Sequence, residues 1–180
     1  WPNLEILSVS GANPFNSRWP NASQFPDGLA TLGIASYDFE SITSLGIFPR
    51  KLSALSLKCL GAAYKTSSIK LDDAPPSLVS LSLEVRLERQ DSLKVLPKSI
   101  THMEYLMPED YQTLVRSEYL PPNLTSLTFS PCVAVNCKPT FAFLKSLRDL
   151  TLRYSTQRPR PASSLSNYDE HFCPYQLEEL

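Results

Sequence analysis

Apolar residues return at regular intervals along the whole chain, and they do so inside one nine-residue template. Its clearest copy is PPNLTSLTF at 121–129, repeated as PRKLSALSL at 49–57, PPSLVSLSL at 75–83 and PKSITHMEY at 97–105. Looser copies are PNLEILSV at 2–9, PDGLATLGI at 26–34, LKSLRDLTL at 144–152 and PYQLEEL at 174–180. The template reads Pro-x-x-Leu-x-x-Leu-x-Leu. Its first apolar position falls at Leu4, Leu29, Leu52, Leu78, Ile100, Leu124, Leu147 and Leu177, at intervals of 25, 23, 26, 22, 24, 23 and 30 residues. A period in the twenties is the signature of a solenoid of stacked units. Leu-x-Leu alternates with period two, so both leucines point to one face of a short strand. One strand cannot bury that face alone. A second unit stacked about 4.8 Å away covers it and pairs its backbone.

The same pattern predicts the elements between the strands. Strands are expected within 4–9, 32–34, 54–58, 80–85 (with alternation reaching 87), 103–106, 126–130 and 148–153. Phe15, Trp19 and Phe25, then Ile42, Leu45 and Ile47, then Tyr64, Ile69 and Leu71 read as core positions of the return segments. A charged turn is expected at 88–91. In EDYQTLVRSEYL, after Pro108, the residues Tyr111, Leu114, Val115 and Tyr119 keep helical spacing with acids in the first turn, which predicts a helix. A loop carrying Cys132 and Cys137 is expected after the sixth strand. The Pro- and Ser-rich stretch 155–172 reads as a protruding loop with a short helix at 165–172.

At this point the chain resembles a known family. The pattern L-x-x-L-x-L is that of the leucine-rich repeat, and it runs along essentially the whole chain. LPPNLTSLTFS (120–130) and FPDGLATLGI (25–34) are similar to Leu-Pro-started, FNIP-like repeats, and SGANPFNSRW (10–19) carries a Phe15-Asn16 pair after a glycine as those repeats do. The resemblance implies an α/β solenoid: a leucine-rich-repeat horseshoe with a parallel concave sheet of short strands and a mostly irregular convex side. Such repeats usually place Asn or Cys three residues past the last core leucine. Here that position holds Ala12, Tyr37, Leu60, Arg86, Pro108, Cys132 and Ser155. Only Cys132 fits well, so a less regular turn is expected after each strand. One domain spanning 1–180 is expected, with about eight repeats. Trp1 and Leu180 both fall inside repeats, so the polar end caps of the solenoid are expected outside this stretch.

The architecture assigns the variable residues of x-L-x-L-x to the concave face, in three columns. The first is Ile6, Thr31, Ala54, Ser80, His102, Ser126 and Asp149. The second is Ser8, Gly33, Ser56, Ser82, Glu104, Thr128 and Thr151, and the third Ser10, Ala35, Lys58, Glu84, Leu106, Ser130 and Arg153. Small hydroxyl residues dominate the early strands, and larger and charged residues gather in the later ones. A partner-binding surface is therefore expected at His102, Glu104, Leu106, Thr128, Asp149, Thr151 and Arg153. Arg153 is the expected anchor, because arginine is enriched in binding hot spots. A solvated sheet face would also need polar residues here, and for any single position that plainer explanation weighs more.

Composition narrows the function. Sixteen of 180 residues are proline, several of them opening a repeat, whereas glycine is scarce at five. Net charge is −1, and the basic residues are scattered apart from Arg153, Arg158 and Arg160. A nucleic-acid binder would carry a basic stripe. No apolar run reaches the length of a membrane span. The chain has two histidines, His102 and His171. His102 and Glu104 share a strand face without a nucleophile, so no catalytic constellation forms and no enzyme activity is expected. Cys132, Cys137, His171 and Cys173 miss the usual zinc spacing, and no Gly-rich phosphate loop exists. No metal or cofactor is implied.

Two glycosylation sequons, at Asn21 and Asn123, carry little information, since Asn123 precedes a template leucine. Four cysteines without a disulfide framework favour an intracellular setting. The expected function is thus protein–protein recognition as a scaffold or adaptor within a larger assembly. The resemblance also implies two alternatives. One is the substrate-recognition arm of an F-box-type ubiquitin ligase, with ligase components as partners. The other is an extracellular receptor or adhesion ectodomain.

Overall fold

The computed structural model of the chain describes residues 3–11, 24–37, 39, 45–60, 68–88, 90–106, 113–116, 119–130, 133–136 and 145–153. Eleven strands are found there: β1 (Ile6–Gly11), β2 (Thr31–Ser36), β3 (Ala54–Cys59), β4 (Ser68–Ile69), β5 (Ser80–Glu84), β6 (Arg86–Leu87), β7 (His102–Tyr105), β8 (Thr113–Arg116), β9 (Ser126–Phe129), β10 (Val133–Asn136) and β11 (Asp149–Leu152). Seven of them form one sheet in the order β1-β2-β3-β5-β7-β9-β11. Every pairing in it is parallel, and each strand is the Leu-x-Leu of the next repeat. The chain is therefore a β-solenoid, as the period implies.

The register is that of the template. Leu7, Leu32, Leu55, Leu81, Met103, Leu127 and Leu150 lie side by side, and so do Val9, Ile34, Leu57, Leu83, Tyr105, Phe129 and Leu152. The interior rungs of both rows, from β2 to β9, are buried, as is the row Leu29, Leu52, Leu78, Ile100 and Leu124. Three such side chains per repeat, each worth roughly 1.5–3 kcal/mol when buried, outweigh any single hydrogen bond of about 1 kcal/mol. The apolar rows thus set the register, and the polar groups must fit around them.

The turn before each strand repeats almost unchanged. The carbonyl of each template proline accepts the N–H of the leucine (or isoleucine) three residues on: Leu29 from Pro26, Leu52 from Pro49 and Leu78 from Pro75 at 3.0 Å, Ile100 from Pro97 at 3.2 Å, and Leu124 from Pro121 at 3.4 Å. The bond uses the proline's carbonyl, so its missing N–H is no loss, while its ring holds the preceding residue extended. One carbonyl then ties each repeat to the next. The oxygens of Glu5, Ala30, Ser53, Val79, Thr101 and Thr125 each accept two successive N–H groups from the following repeat, at 2.8–3.1 Å.

The return segments follow no such rule. Leu45–Ile47 and Gln90–Val95 are 3-10 turns. Strand β4 pairs in parallel with β6, and β8 with β10. Of the expected return-segment core, Leu45, Ile69 and Leu71 are fully buried and Ile47 partly so. Phe15, Trp19, Ile42 and Tyr64 lie outside the described residues.

Three expectations need correction. The helix in 109–120 is not formed at Thr113–Arg116, which is strand β8 paired with β10. Thr113, Val115, Val133 and Val135 are β-branched and lose least by lying in strands, and a helix this short has little stability of its own. The loop expected around Cys132 and Cys137 likewise contains β10. The fourth template strand, β5, does not run on to Leu87. It ends at Glu84, the chain bends at Val85, and β6 joins the second, smaller sheet. The helix expected at 165–172 lies outside the described residues. Among those residues the connections are 3-10 turns and short strands rather than α-helices.

Candidate partner-binding face

The face of the seven-stranded sheet opposite the leucine rows carries the alternate residues of every strand. Cross-strand pairing aligns them in columns: Ile6-Thr31-Ala54-Ser80-His102-Ser126-Asp149 and Ser8-Gly33-Ser56-Ser82-Glu104-Thr128-Thr151. A third column, Ser10-Ala35-Lys58-Glu84, follows the strands where they are long enough. Leu106, Ser130 and Arg153 continue it just past the shorter strands. Their N–H groups bond to Leu83, Tyr105 and Phe129 of the preceding repeat at 2.8, 3.3 and 3.0 Å.

Among the described residues, two ion pairs lie on this face. Lys58 Nζ is 2.7 Å from Glu84 Oε2, joining adjacent strands β3 and β5. Arg153 Nη1 is 2.9 Å from Glu104 Oε1. The second pair is the longer reach: Arg153 follows β11 and Glu104 sits on β7, so the guanidinium spans the intervening β9. Ser82 Oγ on β5 donates to Glu104 Oε2 at 2.6 Å. Both oxygens of one carboxylate are therefore engaged, and three strands of the sheet, β5, β7 and β11, are linked through it across β9. The Glu104 side chain is 28% exposed and that of Arg153 62%. The carboxylate is held by its neighbours while the arginine stays open to solvent.

Of the seven residues expected to bind, Glu104 and Arg153 meet directly. Thr128 lies beside Glu104 in the same column, with Thr151 beyond it. His102 and Asp149 are exposed in the first column with Ser126 between them. His102 Nδ1 lies 2.8 Å from Thr101 Oγ1. Leu106 is partly buried. Since Glu104 is taken up by Ser82 and Arg153, it gives His102 no acid–base companion.

Neither the place of Ser82 in this network nor the Lys58–Glu84 pair beside it is marked in the repeat pattern. A polar ladder also runs through the turns. The residue before the template leucine bonds back to the preceding turn. Ser77 Oγ donates to the carbonyls of Arg50 at 2.6 Å and Leu52 at 2.8 Å. Ser99 Oγ does so to Pro76 at 2.9 Å and Leu78 at 2.7 Å, and Asn123 Nδ2 to Lys98 at 2.8 Å. A second row follows the template leucine, with Ser53 Oγ on Ala30 O at 2.9 Å and Thr125 Oγ1 on Thr101 O at 3.1 Å. Both polar side chains of the Asn123 sequon are thus occupied in joining repeats. The recurrence of Ser or Asn just before the leucine was the available signal.

Among the described residues no cluster of three or more His, Cys, Asp or Glu could hold a metal ion, and no helix is long and apolar enough to cross a membrane. Cys59, at the end of β3, is a buried thiol. Cys132, Cys137, His171 and Cys173 lie outside the described residues. No protein-family model, curated protein or solved structure matches the chain.

Proposed function

We propose that the chain is a leucine-rich-repeat solenoid of the Leu-Pro-started, FNIP-like kind, and that it recognises a protein partner through the outward face of its seven-stranded sheet. The observation that carries this reading is the Ser82–Glu104–Arg153 network. An exposed ion pair contributes only about 0–1 kcal/mol to stability, so the network has little value as a staple. Its effect is to hold Glu104 in one position and to present Arg153 beside Thr128 and Thr151. A pre-ordered arginine loses less freedom on binding than a loose one, and arginine is a common hot-spot residue. The adjoining strands offer small, hydroxyl-bearing side chains over which a partner can lie closely. On this reading the protein acts as a scaffold or adaptor.

The test is affinity purification of the tagged protein with mass spectrometry, beside a Glu104→Ala/Asp149→Ala/Arg153→Ala variant whose circular dichroism and melting temperature are checked first. A partner recovered with the native chain and lost with a folded variant is the expected result. Recovery of the same set with both proteins would remove the sheet face from consideration.

A further inference from the structure

One row of the core changes size part-way along the stack. The residue before each template proline is Phe25, Phe48, Ala74, Leu96 and Leu120 in successive repeats. The four large ones are buried, and the rings of Phe25 and Phe48 meet at 6.2 Å between centroids and 56° between planes. At the third rung an alanine stands where its neighbours are phenylalanine and leucine. There the surface opens into a pocket of about 640 Å³, within the roughly 300–1,000 Å³ usual for ligand sites.

The pocket is lined by buried Phe48 and Pro75, partly buried Ile47 and Ala74, and exposed Arg50 and Asp73. Among the described residues, neither the Arg50 guanidinium nor the Asp73 carboxylate has a hydrogen-bond or ion-pair partner. Asp73 also has φ at +56°, and it is the one non-glycine with positive φ among those residues. That left-handed conformation is unfavourable for residues with a side chain, though Asp tolerates it in turns, and backbone strain of this kind gathers at binding sites. A missing rung of the apolar row, two unengaged opposite charges and a strained turn thus coincide at one place.

We propose that this pocket docks a short extended segment of a partner protein. The segment inserts one large apolar side chain beside Phe48, at the rung that Ala74 leaves short, and sets a carboxylate against Arg50. Asp73 accepts from the segment's backbone N–H groups. The apolar requirement follows from the flanking rungs, Phe48 and Leu96, and the anionic one from Arg50. None of these residues belongs to the sheet face argued above, so the two surfaces stand or fall separately.

The test is a 15N-resolved titration of the full chain with N-acetyl-L-phenylalanine, which carries both an apolar side chain and a carboxylate. N-acetylglycine and N-acetyl-phenylalaninamide are the controls. Expected are saturable shifts of the Gly46, Ile47, Phe48, Asp73 and Ala74 amides, with at least tenfold weaker responses to N-acetylglycine. Ala74→Phe, which fills the rung from within, abolishes the response without lowering the melting temperature. Arg50→Glu, a surface change that keeps the fold if the phenylalanine variant does not, reverses the preference for the carboxylate over the amide. Equal shifts with N-acetylglycine, no shifts with either phenylalanine probe, or a response unchanged in the variants would each overturn the proposal. The Glu104/Asp149/Arg153 alanine variant leaves the titration unaltered.

Discussion

The turns that lead into the strands and the segments that lead away from them are built on different terms. Before the strand, five turns close with the same proline carbonyl and the same leucine N–H. Ser77, Ser99 and Asn123 then stitch three of those turns to their predecessors. After the strand come a three-residue 3-10 turn, a six-residue one, and the short strand pairs β4–β6 and β8–β10. On the first side the polar groups find their partners at recurring places, either three residues away within the turn or one repeat back, 21 to 27 residues away. Insertion of a residue would break several bonds at once. On the other side the chain need only return, bury an occasional Leu or Phe, and re-enter the next turn. Sequence periodicity survives where bonding is periodic, and length varies where it is not.

Substitutions on the two sides should separate in proportion. The largest effect is expected from Leu127→Asp, in the shared leucine row, where a charge would be buried without a partner. A loss on the order of 4 kcal/mol or more follows, and the cooperative thermal transition read by circular dichroism should disappear. An unchanged melt would mean that residue 127 does not face the core. Ser77→Ala/Ser99→Ala comes next. Each change removes one donor from two carbonyls, and at about 1–2 kcal/mol per site the urea midpoint should fall clearly. Glu104→Gln should shift stability by no more than about 1 kcal/mol, because it removes one partly exposed ion pair. Smallest is Val95→Ser in the six-residue 3-10 turn, where the side chain is 53% exposed. A change within about 0.5 kcal/mol is expected. If Val95→Ser proved as damaging as the paired serine changes, the contrast between regular and irregular sides would fail.

What could be read ahead of the structure follows the same division. The three columns of outward residues were legible from the alternation alone, since a strand that buries Leu81 and Leu83 must expose Ser80, Ser82 and Glu84. The segment 109–120 misled because Tyr111, Leu114, Val115 and Tyr119 are also spaced as a helix would space them, and four residues of strand are too few to show a period of two. The serine ladder was hidden for a different reason. Its acceptors are main-chain carbonyls of Arg50, Leu52, Pro76 and Leu78, and a carbonyl leaves no mark on residue identity. The reach of Arg153 to Glu104 was hidden as well. Column positions say which residues are neighbours, and a long side chain can pass over its neighbour to the next.

The doubly accepting carbonyls at Glu5, Ala30, Ser53, Val79, Thr101 and Thr125 have a mechanical consequence. Each is a clamp between one repeat and the next, and the backbone bonds that join the stack run between adjacent repeats. Held by its ends and drawn out, the stack loads these clamps one after another among the described residues. It should give way as a row of fasteners does, one repeat at a time. Each event should release about two dozen residues of slack, and a force trace would read as evenly spaced teeth.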